Sequence, residues 1–121
     1  CEVPKQNIDA CPALGWLRDF ADPLTVLFLT FYGPSILPTG NSNFGQVNDP
    51  QINAAIKAAA LVVEPTARAQ AFANVDKMLV EKAVAIPEDF DNQPTVESKN
   101  VAGVNQQWED GNWDFSFTSL K

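Results

Sequence analysis

Carboxylates supply most of the chemistry this sequence could offer. Asp19, Asp22, Glu88, Asp89, Asp91, Asp110 and Asp114 all fall in or beside predicted loops. A glycoside hydrolase needs two such groups facing each other across a cleft, and nothing in the spacing brings any two together. Serine-based hydrolysis lacks its base, because the chain contains no His, and no G-x-S-x-G elbow is present. "GNSNFG" at 40–45 lacks the Lys and the helix start of a phosphate loop. The expectation is a protein that is not an enzyme.

Asp19 stands apart, just past a predicted strand end. There a carboxylate can face a cleft and pair with a cation, or it can pair with neighbouring Arg18 or cap a turn. The three tryptophans, Trp16, Trp108 and Trp113, offer flat faces for stacking on sugars, or core packing. The two cysteines, Cys1 and Cys11, are too few for a zinc site without His. A disulfide between them is the preferred reading and implies an oxidising compartment. Two unpaired thiols, or a lipidated Cys1 of a bacterial lipoprotein, are the alternatives.

Composition sets the frame. The 121 residues allow one small domain, and 45% hydrophobic with 19% charged residues is a folding composition. A net charge of −7 repels nucleic acid and anionic membranes, so no nucleic-acid partner is expected. The chain opens on Cys1 rather than Met, and its longest apolar run, 24–32, is too short to cross a bilayer. It reads as a processed product or a piece of a longer polypeptide.

The elements that would position these groups follow from periodicity and punctuation. "PALGWLR" (12–18) predicts a short strand leading to Asp19. Asp22-Pro23 predicts a helix start, with Asp22 as N-cap, running to Phe31 or Tyr32 before Gly33. Residues 33–46 read as loop. Asn48 or Asp49 caps a second helix begun by Pro50, with Ile52, Ile56, Ala59, Ala60 and Val63 on one face. Glu64-Pro65 breaks it. A third helix carries Ala71, Phe72, Val75, Met78, Leu79 and Lys82, and the tight break suggests an antiparallel pair on a sheet. "VAIP" (84–87) reads as a buried strand, "TVESKNVAGV" (95–104) as another ending in a Gly turn, and Phe115 and Phe117 alternate as in an edge strand.

Taken in order, "GWLRDFADP", "NSNF", "NDPQINAAIKAA", "PTARAQAFANVDKMLVEKAVAIP" and "NVAGV" resemble the C-terminal segment of family 5 extracellular solute-binding proteins, the dipeptide- and oligopeptide-binding components of ABC transporters. The likeness runs from about Gly15 to Val104. Val84 stands where the family has the first Pro of its a-P-x-i-P strand, and Phe72 where it has Tyr. The resemblance implies an α/β fold: part of one lobe of a periplasmic-binding-protein-like type II architecture, a helix pair packed on a mixed sheet. Residues 1–104 would belong to the C-terminal ligand-binding lobe, and 105–121 to a tail returning towards the other lobe. It further implies peptide transport: a small peptide or other solute held between two lobes and delivered to an ABC permease in the membrane. The setting would be periplasmic or extracellular, with anchoring through a lipoprotein region outside this sequence. The remainder of the solute-binding protein would be the other partner, and no cofactor or metal is implied. Asp19 would pair with the ligand's terminal ammonium, with Trp16 and Asn43 lining the pocket. The alternative is a self-contained secreted carbohydrate-binding module using Trp108 and Trp113.

Overall fold

The computed structural model describes residues 1–11, 15–86, 96–107 and 112–121. Three helices form its centre: α1 (Leu24–Phe31), α2 (Pro50–Ala60) and α3 (Pro65–Glu81). Each begins where an acidic residue precedes a proline. Asp22 Oδ1 accepts the Leu24 N–H at 2.8 Å. Asp49 Oδ1 accepts from Gln51 and Ile52 at 2.8 and 3.1 Å. Glu64 uses both oxygens, taking Thr66 N–H at 3.0 Å and Ala67 N–H at 2.6 Å. In each case the carboxylate satisfies N–H groups that have no partner within their helix, and it sits at the positive end of the helix dipole. Proline adds a preset φ where its missing N–H costs nothing.

One core joins the helices. Leu27 of α1, Ile52, Ile56 and Ala59 of α2, and Phe72, Val75 and Leu79 of α3 are buried together with Tyr32 and Val47. α2 packs along α3, and α1 against α2. The predicted apolar faces hold at their centres and fail at their ends. Val63 is 90% exposed, and Lys82 turns outward to Asp49, Nζ to Oδ2 at 2.7 Å. No described helix is long and apolar enough to cross a membrane.

The described strands are short and antiparallel. β1 (Val101–Ala102) pairs with β4 (Ser119–Leu120), and β2 (Asn105–Gln107) with β3 (Asn112–Asp114). Helices together with small antiparallel ribbons, rather than a mixed sheet under the helix pair, make up the α/β architecture among the described residues.

Three predicted strands are corrected. Residues 15–18 carry no ladder, and 12–14 lie outside the described residues. Residues 84–86 form no strand either. α3 ends with Ala83 in the left-handed region (φ 52°), where Ala83 N–H donates to Val80 O and Val84 N–H to Leu79 O. This closing motif commits the Val84 N–H to the helix end, so it cannot join a ladder. Ile86 is 83% exposed, and Pro87 lies outside the described residues. Phe115 and Phe117 sit in the turn between β3 and β4, where Thr118 N–H donates to Phe115 O at 3.0 Å. The expected Gly turn does form, with Gly103 at φ 72°.

Candidate ligand-binding site

The segment 15–22 reaches the helical core at two points. At its start, Trp16 is half-buried in a cavity of about 260 Å³ bounded by Val26, Thr30, Phe31, Phe44 and Val84. Its indole Nε1 is buried and, among the described residues, has no hydrogen-bond partner. A buried N–H left unpaired costs on the order of 1–3 kcal/mol. Cys11 lines the same cavity. The Cys1–Cys11 disulfide is formed, with the two Cα atoms 6.1 Å apart.

At its end, Asp22 meets Arg68 of α3. Arg68 Nε donates to Asp22 Oδ2 at 2.8 Å and Nη2 to Oδ1 at 3.0 Å, the two-pronged geometry that suits guanidinium and carboxylate. Nη1 reaches the other way, to the carbonyls of Ala59, Ala60 and Val62 at 3.3, 2.9 and 3.0 Å. Those carbonyls close α2, so a cation there also complements the helix dipole. The guanidinium carbon lies 4.9 Å from the Phe72 ring centroid. Both side chains of the pair are about four-fifths buried, at 20% and 21% exposure. The Arg68 hydrogen bonds hold the Asp22 carboxyl below its ordinary range, and Asp22 in turn raises Arg68.

Between these anchors the chain is open. Leu17 and Phe20 are 64% and 59% exposed, and Asp19 is exposed on a bend. A groove of about 510 Å³ runs beside it, lined by Arg18, Ala21, Val26, Phe72 and Asp76. Asp19 lines neither cavity.

Asn43 lies fully buried in the 33–47 loop, with its amide engaged by backbone. Its Oδ1 accepts Val47 N–H at 2.8 Å, and its Nδ2 donates to Val47 O at 2.9 Å and Tyr32 O at 3.4 Å. Asn41 is its structural companion, also fully buried, donating from Nδ2 to Asn43 O at 2.6 Å. The fold thus brings Trp16 to the loop after Asn43, through Phe44 and Gly45, and leaves Asp19 on the outer bend. Trp108 lies outside the described residues, and of Trp113 only the backbone, in β3, is described. Glu88, Asp89, Asp91 and Asp110 also lie outside them. Among the described residues no cluster of metal-ligating side chains occurs.

Arg68 is the site residue that spacing did not reveal. The only hint in the sequence is an Arg four residues before an aromatic in α3, and its partner lies 46 positions away.

No protein-family model matches the sequence, and no curated protein matches it. Among solved structures the chain is similar to clavulanic acid biosynthesis oligopeptide binding protein 2, with a TM-score of 0.80 and 27% sequence identity. The match covers 87% of this chain and 19% of that one, so the chain spans about a fifth of the length of the protein it resembles. Its helices and antiparallel ribbons match a fragment of an oligopeptide-binding protein fold.

Proposed function

We propose that this chain is part of the C-terminal lobe of a family 5 solute-binding protein that captures short peptides outside the cell for an ABC permease. The structural match to an oligopeptide-binding protein carries this reading. The remainder of the binding protein is the partner this assignment supplies.

In this reading Asp19, exposed beside the groove, receives the peptide's terminal ammonium in a charge-assisted hydrogen bond. Trp16 lines the cavity beside Phe44 and Gly45 and offers its ring to the ligand's side chain. A ligand touching both lobes stabilises the closed state, which the permease then receives. The cycle contains no covalent step in this protein, needs no cofactor, and takes place in the periplasm or at the cell surface.

The first test is the intact mass of the envelope-associated polypeptide that carries this sequence. A species far heavier than 13.2 kDa agrees with the two-lobed assignment; a product of that mass removes the second lobe and overturns it. On the heavier species, calorimetric titration with short peptides is expected to show saturable binding. Asp19→Asn should weaken binding of peptides with a free amino terminus, and unchanged affinity overturns the role given to Asp19.

A further inference from the structure

Among the described residues Asp19 is exposed and lines neither cavity. Its neighbours Leu17, Phe20 and Ala21 are exposed, Arg18 before it is half-buried at the groove, and only Phe20 and Ala21 separate it from Asp22. That short link is itself constrained, because Asp22 N–H donates to Phe20 O at 2.7 Å and closes a tight turn about Ala21. On this side the place of Asp19 follows the place of Asp22, as on the other it follows Arg18 and Trp16.

The Asp22 carboxylate is fixed in turn by two partners, the Leu24 N–H and the Arg68 fork, while its carbonyl accepts the Thr25 N–H and hydroxyl at 3.1 and 3.0 Å. Arg68 is held by three carbonyls at the end of α2 and by the Phe72 face. Three nitrogens in one plane thus connect α1, α2 and α3 at a single point. A lysine ammonium could reach one of these partners, but it has no planar fork with which to span them all.

We propose that Arg68 is a positioning residue for ligand recognition: acting through Asp22, it fixes where the Asp19 carboxylate stands and so sets the preference for a free amino terminus. The inference rests on the reading of Asp19 as the ammonium partner. Charge-assisted hydrogen bonds form over a few tenths of an ångström, and a bend held between two anchors, Trp16 and Asp22, loses that placement when one of them slackens.

The test compares tri-alanine with N-acetyl-tri-alanine, titrated into the complete polypeptide that carries this chain. Wild type, Asp19→Asn, Arg68→Lys and Asp22→Asn are each measured well below their melting temperatures. The readout is the ratio of the two dissociation constants. Wild type should favour the free amine, and Asp19→Asn should abolish that preference. Arg68→Lys and Asp22→Asn should each reduce it by about tenfold, or roughly 1.4 kcal/mol, while binding of the acetylated peptide holds. A purely architectural Arg68 would lower the melting temperature, or weaken both peptides in parallel, with the ratio at the wild-type value; that result overturns the inference alone. A wild-type ratio in Asp19→Asn, or no binding of either peptide by wild type, overturns the recognition reading and the inference with it. If Arg68→Lys fails to fold, Asp22→Asn decides, since it keeps the capping oxygen while removing the charge.

Discussion

Asn43 holds Val47 by both of its backbone polar groups, accepting its N–H at 2.8 Å and donating to its carbonyl at 2.9 Å. One side chain thus acts as a strand neighbour would, inside a loop that has none. Asn43→Ala leaves both groups of Val47 buried without these partners. The expected loss is about 1–3 kcal/mol, read as a lower denaturation midpoint at constant slope. Asn43→Asp should fall short of rescue, because it places an oxygen against two carbonyls. A wild-type midpoint in both variants would show that the loop does not depend on this amide.

The Asp22–Arg68 pair predicts a pH dependence. Arg68 lowers the folded-state pKa of Asp22 below the ordinary 3.8. A carboxyl depressed in the folded state contributes stability that is full above its unfolded value and lost as pH falls through the folded one. The stability gap between wild type and Asp22→Asn should therefore be constant near neutrality and close below pH 3.8. Asp49 and Glu64 are lowered as well, by the Lys82 hydrogen bond and the Ala67 N–H respectively, so acid also weakens the other two caps. The paired comparison isolates Asp22 from them, and a gap that widens in acid would contradict the assignment.

Ala83 closes α3 at φ 52°, a conformation in which a Cβ is disfavoured. Ala83→Gly removes that Cβ and leaves both closing hydrogen bonds in place. Stability should rise by about 0.5–1 kcal/mol, the gain being limited by the greater freedom of glycine when unfolded. A drop in melting temperature would mean that the Ala83 methyl packs more tightly than its exposure suggests.

The disulfide joins Cys1 to Cys11, and next to it the amino terminus meets the Asn41 loop. Glu2 O accepts the Asn41 N–H at 2.9 Å, and Cys11 borders the Trp16 cavity. Replacing both cysteines by serine frees a short loop whose closure is worth about 3 kcal/mol in the chain-entropy account. Amide hydrogen exchange should accelerate at Asn41 and stay slow at Ile56, which lies in the core. Equal acceleration at both would show that the bridge supports the whole fold rather than this edge.

The sequence alone determined the helices, because their signals are local. Asp22-Pro23, Asp49-Pro50 and Glu64-Pro65 each place a carboxylate within three residues of the N–H groups it satisfies, and Ile52, Ile56, Phe72, Val75 and Leu79 carry the spacing of one buried face. The Cys1–Cys11 pairing was legible for the same reason, being ten residues apart. Tertiary structure decided the rest. Two strand readings are the exception, since residues 84–86 of "VAIP" yield to the closing motif of α3 and the alternation of Phe115 and Phe117 to a turn, both made by bonds as local as those of the helices. Asn43, one polar residue among several in its loop, becomes a fully buried fastener only when Val47 and Tyr32 come to it. Above all, the Arg68–Asp22 pair spans 46 positions and forms because packing α3 near the start of α1 and the end of α2 brings an acceptor and three carbonyls within reach of one guanidinium. Local hydrogen bonds are encoded by short spacings that a sequence displays; a contact made by packing has no spacing of its own.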